Sequence, residues 1–549
     1  MSESERIRIG VQGMTCRDCE VAVADALLGA GARVLRVDRL AKLALVEVPA
    51  GTDTGHLTRA VMEAGYKPGD VEVLSERPAR EISVQGAGYD LAIIGSGSAA
   101  FAAAIKAREA GASVVMIERG TVGGTCVNIG CVPSKTQLRA GELFYQAGYQ
   151  PFDGAKTAAQ GMDLARLVDQ KDELVSQLRK EKYEDLIGEY GWDLLRGEAA
   201  FPDEGRIQVA DRTISAKSFL VATGASPAVP SIPGLAEAGY LTSTTALDLK
   251  TLPRSLAIIG SGYVALELGQ LFHHLGSRVT LMQRSPRILK EYEPAVSEAV
   301  FEAMTGQGMS FVTGAAFQHV ERTGAGYRVT LEVDNEKRVV EAEQLLVAVG
   351  RQPNTGALHL ERAGVALGER GEVLVDEQLR TSNPRIFAAG DVTLGPQFVY
   401  VAANEGSLAA GNALGESTKV DLSTVPGVIF TNPSVATVGL TEAKARASGF
   451  QVKSSGLPAS AVPRALANRM TAGVFKLVAD AETDRILGVH VVAENAGEVI
   501  YAATLAVKFR LTIADLTSTF APYLTMAEGL KLAALTFGRD VSKLSCCAA

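Results

Sequence analysis

Two stretches of the same design restrict what this chain can fold into. The apolar run Tyr89–Ile94 enters Gly95-Ser96-Gly97-Ser98-Ala99-Ala100 and an alanine-rich helix, after which residues 113–117 form a second apolar run ending at Glu118. Ser255–Ile259 enters Gly260-Ser261-Gly262-Tyr263-Val264-Ala265, then a helix carrying Glu267, then Arg278–Met282 ending at Gln283-Arg284. A buried run, a glycine turn, a helix and a second run describe a parallel βαβ unit that binds a dinucleotide. The glycines let the backbone approach a pyrophosphate, and the helix N-terminus favours the anion. Gly95, Gly97 and Ala100 in the first unit, and Gly260 and Gly262 in the second, are the cradle positions. The first unit ends in an acid, Glu118, suited to a ribose hydroxyl pair. The second has no acid there, and Arg284, Arg287 and Lys290 follow instead. That charge pattern suits the 2′-phosphate of NADPH, against the alternative of a solvated basic loop. Two nucleotides of different kind point to electron transfer.

The cysteines extend this reading. All six fall in close pairs: Cys16/Cys19, Cys126/Cys131 and Cys546/Cys547. The middle pair lies in Gly123-Gly124-Thr125-Cys126-Val127-Asn128-Ile129-Gly130-Cys131-Val132-Pro133-Ser134-Lys135. In a regular helix, Cα atoms five apart would be roughly 8–9 Å distant. A disulfide needs about 4.4–6.8 Å. Closing this pair therefore requires a distorted turn, and distortion makes a disulfide easier to reduce. Lys135 lies four after Cys131, on the same face if the segment is helical. The plainer alternative, two ordinary buried cysteines, leaves the glycines and the adjoining nucleotide motifs without a purpose.

At 549 residues and a net charge of −8 the chain requires several domains, and nucleic acid or an anionic membrane surface is a poor partner. No apolar run reaches the length of a membrane span. The start carries no apolar signal-peptide region, so a cytoplasmic location is expected. A reducing compartment disfavours a structural disulfide framework, leaving redox work or soft-metal capture for the three dithiols.

Residues 1–74 read as a separate domain. Strands at 7–9, 34–37, 43–48 and 71–73 with helices at 20–28 and 57–64 give a β-α-β-β-α-β order, the ferredoxin-like layout. Cys16 and Cys19 fall at the start of the first helix, where thiolate is favoured. The C-x-x-C spacing by itself leaves zinc, redox and soft-metal roles open. With Met14 before it, the segment resembles heavy-metal-associated domains, which implies metal handling by Cys16 and Cys19. Residues 75–88 read as a polar linker.

The dithiol stretch and the two nucleotide units together resemble the flavin disulfide reductases, the family of glutathione reductase and lipoamide dehydrogenase. The resemblance implies an α/β chain with two Rossmann-like nucleotide-binding domains plus an α+β dimerisation domain, preceded by the ferredoxin-like domain. It implies FAD binding at 89–225 and 356–424, NADPH binding at 226–355, and a dimer-interface domain at 425–549. Gly124, Thr125, Lys135, Thr223, Gly224 and Asp391 join the FAD site by likeness, and Lys135 pairs with Glu267 near the flavin. Cys131 becomes the thiolate against the flavin and Cys126 the outer, exchanging thiol. Residues 156–200 read as long helices. An exposed antiparallel sheet after 425 is expected to join two subunits into a homodimer.

One departure decides the substrate. Disulfide-reducing members carry a histidine with a glutamate five residues later; here Pro522-Tyr523-Leu524-Thr525-Met526-Ala527-Glu528 places Tyr523 at that position. Tyrosine, with a pKa of about 10, is a poor base at neutral pH. With the metal-binding front domain and the Cys546-Cys547 tail, the chain resembles the branch of the family that reduces mercuric ion. That likeness implies Hg(II) as substrate, held by Cys126 and Cys131. It implies metal delivery by Cys546 and Cys547, with Tyr523 and Tyr183 orienting or ligating the metal. Mercuric thiolates and mercury-transport proteins are the implied partners. A reductase of small disulfides and a non-catalytic metal-sequestering module are the competing readings.

Overall fold

The structure is a computed structural model that describes residues 4–14, 17–39, 42–49, 51–74, 88–540 and 543. Two compact units divide at residue 86.

In the first unit, a four-stranded antiparallel sheet has the order Arg33–Asp38, Leu43–Pro49, Ser4–Gln12, Lys67–Leu74. The alternation of Ser4–Gln12 sets the register. Ile7, Ile9 and Val11 are buried while Arg8 faces out. Helix Arg17–Gly29 covers that face with Val23 and Leu27, and helix Gly55–Glu63 covers it with Leu57 and Val61. This is the ferredoxin-like arrangement.

The second unit holds two nucleotide-type sheets. The first has seven strands. Its parallel part runs Asp193–Arg196, Val114–Glu118, Tyr89–Ile94 and Arg212–Val221, with Ile386–Ala388 added on the last. Strand Arg212–Val221 does two jobs. Its first four residues pair antiparallel with Arg206–Val209, and its second half pairs parallel with Tyr89–Ile94. Leu91 to Ile94 are all buried, because helices pack on both faces of a parallel sheet. The second nucleotide-type sheet is parallel throughout, in the order Ser310–Val312, Arg278–Met282, Ser255–Ile259, Gln344–Val347. A two-stranded ladder, Ala225–Pro227 against Arg351–Pro353, links the crossings between the two.

Residues 156–200 differ from the expected long helices. No helix covers 156–162; one runs Leu164–Arg179, a wide turn spans Lys180–Glu184, and a short helix Asp185–Tyr190 follows. Gly191 (φ 69°) stops it, and the chain then enters strand Asp193–Arg196 at the sheet edge. Charged periodicity marked the helical middle; Gly154 and Gly161 before it and Gly191 after it set its limits.

After residue 425 a five-stranded antiparallel sheet forms, in the order Gly427–Ile429, Ser434–Gly439, Ile486–Ala493, Val474–Asp480, Val452–Pro458. The central strand Ile486–Ala493 is buried along its whole length. The exposed apolar side chains stand elsewhere: Tyr501 and Leu505 on helix Ala496–Lys508, then Phe509, Phe520 and Tyr523. Phe430 and Leu466 are exposed as well.

Candidate active site

The two thiols meet because the helix between them is broken. Gly124–Ile129 and Cys131–Gly148 are separate helices, and Gly130 between them takes φ −123° and ψ −109°. A Cβ at Gly130 would stand 2.9 Å from the Thr125 carbonyl oxygen, so glycine is needed at the break. The break replaces the helical separation with direct contact: the Cys126 and Cys131 side chains hydrogen-bond to each other. Both are free thiols in the structure. The bond to Cys126 lowers Cys131 to about 7, with the Lys135 charge adding to it, and the same bond pushes the Cys126 thiol up. The pair shares one proton near neutral pH, with Cys131 the thiolate.

Lys135, one turn on along the same helix, gives its ammonium to Glu267 at 2.7 Å. Glu267 is buried on helix Tyr263–His274, and its other oxygen accepts the Phe430 N–H at 2.9 Å. The Phe430 ring lies 4.8 Å from the Lys135 ammonium. Three segments distant in sequence thus fix one positive charge beside the thiol pair. Replacing Lys135 with methionine is expected to raise the pH midpoint of thiol alkylation above about 7 and to slow alkylation at neutral pH roughly threefold. The pH profile of iodoacetamide reaction on the reduced protein reads this directly.

Cys126, Cys131, Lys135 and Glu267 line one wall of a cleft of about 310 Å³. Gly95, Gly97, Glu118, Gly124, Thr125, Thr223, Gly224, Tyr263, Arg351, Asn354 and Asp391 line the rest. Gly95 has φ +108°, and a Cβ there would meet the Ala222 carbonyl oxygen at 2.3 Å. Gly260 repeats this, with φ +122° and a Cβ 2.2 Å from the Ala348 carbonyl oxygen. Both turns therefore press against the strand beside them, as a pyrophosphate cradle requires. Asp391 faces Arg351 at 3.3 Å, and burial pushes its carboxyl up against that pull. The bare backbone at Gly95, Gly97 and Gly124, with an acid at each of Glu118 and Asp391, fits a dinucleotide carrying sugar hydroxyls, and FAD is one. Ala100 is the exception among the expected contacts. It is fully buried in the core and absent from the wall, so its part is close helix packing.

The two glycine turns differ in one detail. Ser96 Oγ donates to Glu118 at 2.6 Å. Ser261 is the matching serine of the second turn, and Gln283 stands where Glu118 does. The Ser261 hydroxyl is buried and has no partner. Arg284 and Lys290 are exposed on the loop after strand Arg278–Met282, away from the main cleft. Arg287 is tied down by bonds to the Lys290 and Tyr292 carbonyls. It shapes the loop, leaving Arg284 and Lys290 turned to solvent.

The tyrosines separate. Tyr183, in the wide turn Lys180–Glu184, hydrogen-bonds Ser98 and feels the charges of Cys126 and Cys131; burial pushes its phenol up. Its ring packs edge-on to Phe101 at 4.8 Å. Tyr523 is 48% exposed and absent from the cleft wall of its own chain. Cys19 is half-buried against the core of the first unit. Cys16, Cys546 and Cys547 lie outside the described residues. Among the described residues, no three His, Cys, Asp or Glu side chains converge as a metal cage.

Sequence reasoning gave no site role to Tyr263, Arg351, Phe430 or Glu405. Glu405 is buried in helix Val399–Ala413 and accepts the Gly390 N–H at 2.7 Å, which fixes the turn holding Asp391. A lone glutamate in an alanine-rich helix carries no local signal of that kind. Tyr263 did have one, as an aromatic inside a glycine turn.

The family model of the pyridine nucleotide-disulphide oxidoreductases matches residues 89–406, and the dimerisation domain of the same family matches 425–534. The chain is 59% identical to a mercuric reductase of Staphylococcus aureus, over 98% of this chain and 99% of that one. It is 56% identical to a mercuric reductase of Bacillus cereus, over 99% of this chain and 87% of that one. Among solved structures, the Cu(II) complex of the HOCl-induced flavoprotein disulfide reductase RclA from Escherichia coli superposes with a TM-score of 0.73 at 29% identity, covering 83% of this chain and all of that one.

Proposed function

The chain belongs to the pyridine nucleotide-disulphide oxidoreductase family and, within it, to the mercuric reductases, and from that premise we infer that Cys126 and Cys131 hold the metal while it is reduced. The enzyme reduces Hg(II) to Hg(0) with NADPH, uses FAD, acts as a homodimer and serves mercury detoxification. The overall reaction is Hg(II) plus NADPH giving Hg(0), NADP⁺ and a proton. Bound FAD supplies the two-electron relay between NADPH and the metal.

The residues of the chain supply the rest. Cys126, the outer thiol, exchanges first: its sulfur binds the incoming mercury, because soft sulfur prefers a soft cation, and its proton goes to one carrier thiolate, which leaves as a thiol. The Cys131 thiolate then becomes the second sulfur ligand, and the other carrier sulfur leaves as a thiolate. Both sulfurs remain reduced throughout, so the two electrons go to mercury and not to opening a disulfide. The Cys126 hydrogen bond draws Cys131 toward thiolate near pH 7, and the ammonium of Lys135, held by Glu267, adds to it. The observation that carries this reading is the thiol–thiolate pair with a fixed ammonium at the cleft, with tyrosine in place of an acid–base histidine. The test compares acceptors: NADPH oxidation should be fast with a mercuric thiolate and negligible with glutathione disulfide, and the reverse pattern would overturn it.

Tyr183 orients the inner pair, and Tyr523 reaches it from the second subunit. Cys16 and Cys19 capture metal on the first unit. Mercury-transport proteins hand it over in the cytoplasm. Cys546 and Cys547 strip mercury from its carrier thiols and pass it inward by ligand exchange. The double variant Cys546→Ala/Cys547→Ala should lose roughly tenfold or more of its kcat/KM for mercury offered in excess glutathione, yet keep activity with mercuric bromide. Full activity in glutathione would remove the tail from the scheme.

A further inference from the structure

Two side chains on the wall of the main cleft have a buried N–H without a hydrogen bond, and one of them, Arg351 Nε, still faces the Asp391 carboxylate at 3.3 Å. Gln397 lines the cleft, and its Nε2 is buried without an acceptor. Three other donors on that wall are engaged. Lys135 donates to Glu267, Asn354 Nδ2 donates to the Thr223 carbonyl at 2.9 Å, and an Arg351 amino group donates to the Ala225 carbonyl. An amide left bare in a buried place costs stability unless something else accepts from it. Nor is Gln397 on a loose loop. Glu405 pins the loop at Gly390, and the Phe398 N–H closes a tight turn onto the Pro396 carbonyl at 2.9 Å. Helix Val399–Ala413 begins directly after it, with Val399 and Ala402 on the same wall. The backbone that carries the amide is therefore held in place before any ligand arrives.

We propose that Gln397 is a positioning residue for the flavin, donating its amide N–H to an acceptor on the isoalloxazine ring and thereby raising the flavin reduction potential. The inference rests on the reading of this cleft as the FAD site. An uncharged donor suits the ring's carbonyl and ring-nitrogen acceptors. Reduction adds electron density to those atoms, so the same bond is stronger in the reduced state. A bond stronger in one redox state favours that state.

The test measures the two-electron midpoint potential of bound FAD by dye equilibration in the full-length protein, with melting temperature and FAD dissociation constant alongside. Gln397→Leu should shift the balance about tenfold toward oxidised flavin, about 30 mV more negative. Gln397→Glu, the same size but an acceptor, should shift it further in the same direction. Should the leucine variant shed its flavin, the glutamate variant carries the comparison. Unchanged potentials in the variant or variants that retain flavin, or a lower melting temperature with no change in potential, would overturn the proposal. Wild-type protein that purifies without flavin would instead break the underlying reading of the cleft, so the two failures are distinct.

Discussion

Cys131→Ala protein is expected to lose mercury-dependent NADPH oxidation by roughly a thousandfold or more, while still purifying yellow with FAD in place. The two halves of that result come from different atoms. The thiol pair occupies one end of the cleft, whereas the cradle for the nucleotide is bare backbone at Gly95, Gly97 and Gly124 and the carboxylates of Glu118 and Asp391. Cys126→Ala should be as inactive but should differ in its titration. Cys131 would lose the hydrogen bond that is the largest cause of its lowering to about 7, and its thiolate would form only at higher pH. Stopped-flow measurement of flavin reduction by NADPH should be unaffected in both variants. Turnover within a few-fold of wild type in either would remove the pair from the chemistry.

The second large effect concerns the nucleotide. Gln283→Glu combined with Arg284→Ala should lower the preference for NADPH over NADH, as a ratio of kcat/KM values, by about a hundredfold. At the first turn, Ser96 and Glu118 are bonded at 2.6 Å, and an acid so placed serves a ribose diol. At the second turn, Ser261 is left without a partner, because Gln283 replaces the acid. Restoring a carboxylate there gives Ser261 an acceptor, and it repels a 2′-phosphate. Removing Arg284 takes away the exposed cation that would meet the phosphate. An unchanged ratio would show that the basic loop is only a solvated surface.

How much of this was legible in the sequence depended on whether the determining contact was local. The glycine turns were legible because each is encoded by its own few residues. The ferredoxin-like first unit was legible from strict alternation in Ser4–Gln12 and helical spacing of Val23 and Leu27. The distorted turn at the dithiol was legible as a requirement, but the device, a helix broken at Gly130 against the Thr125 carbonyl, was not. Glu405 and Phe430 act through a turn on another segment and across more than a hundred residues, respectively, and nothing beside them in sequence records it. Residues 156–200 were overextended because charge periodicity continues past the glycines that limit the helix.

The central claim, that mercury is reduced while held by Cys126 and Cys131, is tested most directly in a variant that keeps only these two of the six cysteines. The other four are changed to alanine, the dithiol is pre-reduced, mercuric bromide is supplied, and NADPH is added under nitrogen. Mercury vapour and NADPH consumption are then measured together. The account predicts elemental mercury released in a one-to-one ratio with NADPH oxidised; NADPH oxidation without mercury vapour, or no oxidation at all by flavin-loaded protein, would contradict it.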